Sequence, residues 1–282
     1  MPHDLLRASG KEVRGVSLDC EYDTAPAAGI LESKFAPWCS AVIANWMAGA
    51  YDHFETIVFS RADDTVQRLY YYVCELQRRG TLAGPEAIMF DVSLIPRASS
   101  EARQYREVRA LAKRLNVTDS RLREAIVSTN AARKASPPPA GKVCLLVGTP
   151  PSDDRLHAAI ARAGCTPVGD TLQELWADLG PAVDESASDP ALALARQIRE
   201  RAGPRSFGDA GAAVAADIAS LAPVCGVLWL SNDDESTGWQ IPALREPFEA
   251  AGIPLLEMTC RDPHLADGAE DEIEKFVGEN SE

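Results

Sequence analysis

Two modes of hydrophobic patterning alternate along this chain. Apolar runs of strand length cover Thr56 to Phe59, Ala87 to Phe90, Val143 to Val147, Gly226 to Leu230 and Ile253 to Met258. Helical spacing of apolar residues takes over between them. After the first run, Val66, Leu69, Tyr70, Val73, Cys74 and Leu76 mark a helix that Gly80 stops. The same spacing predicts helices over Ser99 to Leu115, Asp119 to Ala135 behind a Thr118 cap, and Asp153 to Ala163. Others follow over Pro190 to Arg201, Ala210 to Leu221, Ile241 to Ala251 and Glu270 to Val277. Trp38 to Ala50 is apolar all round, which suits a buried helix. Near the start, Asp4 to Ser9 reads as a short helix ended by Gly10 and Val13 to Leu18 as a strand; a further short strand falls near Pro167 to Val168. Alternation on this scale predicts an α/β protein with parallel sheets in two doubly wound lobes.

The pattern is interrupted at Ser136-Pro137-Pro138-Pro139-Ala140-Gly141, a run that can neither continue a helix nor join a sheet interior. It divides the chain into an N-terminal α/β lobe with its helical connection, residues 1–136, and a C-terminal α/β lobe, 137–282. A length of 282 residues suits two cores. Lys+Arg 28 against Asp+Glu 42 gives a net charge of -14, which argues against nucleic acid or an anionic membrane as partner. The start, Met1-Pro2-His3-Asp4, has no leader pattern and no apolar run reaches the roughly 20 residues of a bilayer span, so a cytoplasmic protein is expected. Seven scattered cysteines without a C-x-x-C pair indicate neither a disulfide framework nor a zinc site.

Candidate chemistry gathers where two strands end alike. Residues 57–64 and 227–234 each run from an apolar strand into serine and then polar or acidic residues: Ser60, Asp63 and Asp64 in one half, Ser231, Asn232, Asp233 and Asp234 in the other. Ligands of open α/β sheets bind beyond the carboxyl ends of strands, so a cleft between these tips is the expected site. Asp63 and Asp64 also suit the N-terminus of the helix that follows, and residues 232–235 also read as a solvated acidic turn. Converging carboxylates suit a divalent cation, the second candidate cofactor. Gly148-Thr149-Pro150-Pro151-Ser152-Asp153 opens a helix after a strand but lacks a full phosphate-binding pattern. The four histidines form no ligand or triad motif. Arg97, Arg103, Arg106 and Arg109 make the densest basic patch, fit for a ligand phosphate or an acidic partner subunit, though a solvated helix face is the commoner explanation. Tyr70-Tyr71-Tyr72 offers an interface residue.

Several segments, in order, resemble the 2-hydroxyacyl-CoA dehydratase and benzoyl-CoA reductase family. They are Pro2-His3-Asp4-Leu5-Leu6-Arg7-Ala8-Ser9-Gly10, Asp64-Thr65-Val66-Gln67-Arg68-Leu69 and Leu122 through Arg133 (LREAIVSTNAAR). Ala163-Gly164-Cys165-Thr166-Pro167-Val168-Gly169-Asp170 and Ile241-Pro242-Ala243-Leu244 through Gly252-Ile253-Pro254-Leu255-Leu256 complete the set. The resemblance implies two Rossmann-like lobes, a [4Fe-4S] cluster on three cysteines, an acyl-CoA substrate, a homologous second subunit and an ATP-dependent activator. In that family the cluster delivers one electron to the thioester. Cys39, in Ala36-Pro37-Trp38-Cys39-Ser40, matches the first cysteine position, whereas Asp63 stands at the second and Asn232 at the third. Iron–sulfur clusters are held by soft thiolates, while carboxylate and amide oxygens suit hard cations. The resemblance therefore implies a subunit poor in cluster or without one, Cys39 its residual thiol, with Ser60, Asp64, Ser231 and Asp233 lining the cleft. The alternative is a non-redox scaffold, or a small-molecule or divalent-cation binding protein, on the same fold.

Overall fold

A computed structural model of the chain describes residues 1–19, 22–62, 64–93, 95, 97–133, 139–202, 210–234 and 237–281. The chain order is α1 (His3–Ala8), α2 (Ala25–Ala28), α3 (Pro37–Met47), β1 (Thr56–Ser60), α4 (Asp64–Arg78), β2 (Glu86–Phe90), α5 (Ala98–Arg114) and α6 (Asp119–Ala132). Then come β3 (Val143–Gly148), α7 (Arg155–Arg162), β4 (Thr166–Val168), α8 (Leu172–Ala177), α9 (Pro190–Ala202) and α10 (Ala210–Leu221). β5 (Cys225–Ser231), a 3₁₀ turn at Thr237–Gln240, α11 (Ile241–Ala251), β6 (Leu255–Arg261) and α12 (Ala269–Asn280) complete it. The predicted α/β class with parallel sheets is present. Two compact units arise, one from residues 1–135 with 177–206 and the other from 136–176 with 207–282.

In the first unit β1 and β2 pair in parallel with Phe59 opposite Met89, and α4 makes the crossover. The sheet among the described residues has these two strands. Its core joins Ile88 and Phe90 of β2 to Val108 and Leu111 of α5, Leu122 and Ile126 of α6, and Leu194 and Ile198 of α9. That packing is why residues 177–206 lie in the first unit although they follow the proline run: α9 turns an apolar stripe onto α5 and α6. A side-chain strap fixes the same return. Asn130 of α6 accepts from the Val183 N–H at 3.0 Å and donates to the Val183 carbonyl at 2.8 Å, while Arg133 donates to the Leu179 carbonyl at 3.1 Å. Arg133 also forks onto both carboxylate oxygens of Asp4, at 2.9 and 2.5 Å, with the two side chains 4% and 1% exposed. Residues Val13 to Leu18 form no strand, contrary to expectation. At their end the chain is held by side chains instead, the Tyr51 hydroxyl donating to Ser17 O and the Asn45 amide to Asp19 O.

In the second unit all four strands are parallel, in the order β4-β3-β5-β6. Strand alternation sends Cys144, Leu146, Val227 and Trp229 to one face, where α7 and α12 supply Leu156, Ile160, Ile273 and Val277. Leu145, Leu228 and Leu230 face the other side, against Val214, Leu244 and Phe248 of α10 and α11. Gly226 allows that second layer to close up, because a Cβ there meets the Phe248 ring at 2.2 Å. β5 is buried along its whole length. Among the described residues no helix is long and apolar enough to cross a membrane.

Candidate functional site

The strand order of the second unit reverses direction between β3 and β5, the place beyond whose carboxyl ends open α/β sheets bind their ligands. β3 leaves the sheet through Gly148, whose φ of +107 and whose closeness to the Trp229 carbonyl, 2.2 Å from an added Cβ, admit glycine alone without strain. Thr149 then ties the two strand ends together. Its N–H donates to Trp229 O at 2.8 Å, its hydroxyl donates to Asp234 Oδ2 at 2.7 Å, and Thr149 Oγ1 accepts from the Ser231 N–H at 3.4 Å. Asp234 Oδ1 accepts from the Thr237 N–H at 3.0 Å, anchoring the 3₁₀ turn.

Two oxygens at this place are left over. Ser231 is 5% exposed, and its Oγ has no hydrogen-bond partner; Asp233 Oδ1 is also buried without one. Asn232 is exposed at the top of the same turn, its N–H donating to Arg261 O at 2.9 Å. The structure thus gathers Ser231, Asn232 and Asp233 on one turn, with Thr149 and Thr237 tied to it through Asp234. Thr149 belongs to the Gly148-Thr149 turn that the sequence offers for a phosphate. Its side chain faces the Asp234 carboxylate, and Asp153 caps the Arg155 N–H at 3.0 Å, so that turn is already supplied with anions of its own.

The first unit's candidate residues are arranged differently. Ser60 ends β1 half-buried, and Asp64 is exposed at the start of α4, in keeping with a helix-terminus role. Asp63 lies outside the described residues. Cys39 is fully buried in α3 among Ala41, Val42, Ile43 and Trp46. Two arginines of the basic patch are consumed internally: Arg103 pairs with Asp91, and Arg109 reaches Asp119 and, at 3.0 Å, Asp189. The Asp119 hydrogen bond is the largest influence raising the Arg109 pKa. Of the tyrosine run, Tyr71 is 55% exposed while Tyr72 donates to Glu32 at 2.8 Å.

These donors do not fit a thiolate-held cluster. Cys39 is a packed thiol, Asn232 offers an amide, and no group of three or more His, Cys, Asp or Glu is placed to hold a metal ion among the described residues. Cys144, Cys165 and Cys225 are buried together in the second unit's core. The thiol of Cys144 is pushed up first by its hydrogen bond to Cys225 and then by burial, and that of Cys165 by burial, which marks both as protonated core residues. No disulfide joins the described cysteines.

Fold and geometry together define an α/β protein with two buried, unpartnered oxygens, on Ser231 and Asp233, at a strand end. No protein-family model matches the chain, and no curated protein matches it.

Proposed function

We propose that this chain is a cluster-free subunit of the 2-hydroxyacyl-CoA dehydratase or benzoyl-CoA reductase type, with Rossmann-like lobes of which the second binds a small ligand at the β3/β5 crevice. The observation that carries the binding role is the orphaned pair Ser231 Oγ and Asp233 Oδ1 at a strand-order reversal. A buried polar oxygen without a partner costs about 1–3 kcal/mol, a penalty that a ligand's donors relieve.

The family-like segments support the rest of the reading by what their residues do. Asp4, Asn130 and Arg133 tie α1 and α6 to residues 179–183, Val66 and Leu69 bury one face of α4, and a Cβ on Gly169 would meet Leu146 O at 2.5 Å. These are fold-building contacts. The positions that differ from the family pattern, Asp63 and Asn232, are those that would hold iron. Electron delivery then belongs to a homologous, cluster-bearing second subunit and its ATP-dependent activator, in a cytoplasmic complex. This chain's own residues bind and orient.

Anaerobic purification of the full chain from its own cell extract, followed by iron–sulfide reconstitution, tests this. The expected product is colourless and iron-free, with a melting midpoint that rises on addition of acyl-CoA thioesters by mass action. A brown chain absorbing near about 400 nm overturns the cluster-free assignment. A midpoint indifferent to every thioester overturns the acyl-CoA role.

A further inference from the structure

We infer that the β3/β5 strand end is a site for an organic ammonium group, the protonated amine of a small ligand. This rests on the reading of that crevice as the ligand site, and not on the ligand being a CoA thioester. The argument is one of leftover valence. Thr149 Oγ1 is spent on Asp234 and the Ser231 N–H, Asp234 Oδ1 on the Thr237 N–H, and the Asn232 N–H on Arg261 O. What remains is the Ser231 hydroxyl oxygen, on a residue 5% exposed, and one carboxylate oxygen of Asp233.

A carboxylate accepts only, so the complement must donate. An anionic group is repelled at Asp233 Oδ1 itself, whatever a larger ligand places elsewhere. A neutral alcohol meets the hydrogen-bond requirement of Oδ1 but leaves the charge of the half-buried carboxylate uncompensated. An ammonium group supplies charge and up to three N–H donors at once. A divalent metal ion needs a convergent set of ligands, and none of three or more His, Cys, Asp or Glu is found among the described residues.

Trp239, 84% exposed, lies on the 3₁₀ turn whose first N–H Asp234 holds, and so reports on that turn by its fluorescence. The chain's net charge of -14 draws such ligands in. Neither orphaned oxygen touches solvent, so binding is coupled to a shift of the Asn232–Asp234 turn.

The full chain is titrated with butylammonium chloride, against butanol, against sodium chloride at matched ionic strength, and against magnesium chloride. Melting midpoint and tryptophan fluorescence are read. Butylammonium is expected to raise the midpoint and change the fluorescence saturably, and the three controls are expected to do neither. Asp233→Asn should weaken butylammonium at least tenfold, and Trp239→Leu should reduce the fluorescence change. Should Asp233→Asn not fold, Ser231→Ala carries the test. A response shared with sodium or magnesium, or unchanged affinity in Asp233→Asn or, in its place, Ser231→Ala, overturns the inference. A CoA thioester that stabilises wild type and Asp233→Asn alike, without any butylammonium response, overturns the ammonium and leaves the acyl-CoA role standing. Saturable butylammonium binding with no thioester response does the reverse.

Discussion

The two units end their strands on carboxylates that live in opposite circumstances. Asp91, directly after β2 in the first unit, is clasped by Arg103 and by Arg61 at 3.5 Å, and the neighbouring Gln104 takes the Ser93 N–H at 2.9 Å and donates to Asp91 O at 3.2 Å. Asp233, two residues after β5 in the second, keeps a buried oxygen with no partner. The lesson is that a strand-end acid is a site only where the surrounding chain leaves its valence open. By that measure Asp91 is structural, and so is Asp4, which Arg133 matches at both oxygens.

Four substitutions or conditions test the contrast. The largest effect belongs to Asp4→Ala, which strands a guanidinium 4% exposed and should cost about 3–5 kcal/mol in urea unfolding. If that variant unfolds like wild type, Asp4 is not structural. Asp233→Ala should change stability in the other direction, raising it by about 1–3 kcal/mol because an unmet acceptor disappears; a destabilised variant contradicts the orphaned state. Asp91→Ala should cost about 0.2–1 kcal/mol, its arginines being 44% and 52% exposed and able to turn to water. The smallest effect is a pH dependence. Arg261 holds the Asp267 carboxyl down at about 2, so the pair's contribution is complete above an ordinary carboxylate pKa of about 4 and is lost as pH falls through about 2. Solvent screening keeps it under about 1 kcal/mol. Melts of wild type and Asp267→Asn should therefore converge in strong acid and separate above about pH 4.

Much of this architecture is legible in the residues. The Thr118 cap, with its hydroxyl accepting from the Arg121 N–H at 3.3 Å, and the apolar face of α6 follow directly from sequence, as do all six strands to within a few residues. Periodicity fails at Val13 to Leu18, where an alternating segment has no ladder and Tyr51 does a strand's work from 34 residues away. It fails too at α8, whose start is a reciprocal Thr171–Glu174 box, the hydroxyl accepting at 3.3 Å and the carboxylate at 2.8 Å; that signal is present but four residues long. The tips at Ser60 and Ser231 look alike as strings. Their difference comes from partners that only three dimensions supply, since the closing residue, Thr149, lies 82 positions from Ser231. Chain order likewise places residues 177–206 with the second lobe, and only the Asn130 and Arg133 strap and the α9 stripe reassign them.

The return of residues 177–206 to the first unit bears on how the protein is made. As the chain leaves the ribosome, α5 and α6 emerge with Leu111, Leu122 and Ile126 still lacking α9. They must wait while β3, α7 and β4 are translated in between. The first unit is completed from both sides of a partly built neighbour, so a gene fragment stopped at the proline run yields a nascent hydrophobic face for chaperones rather than a finished domain.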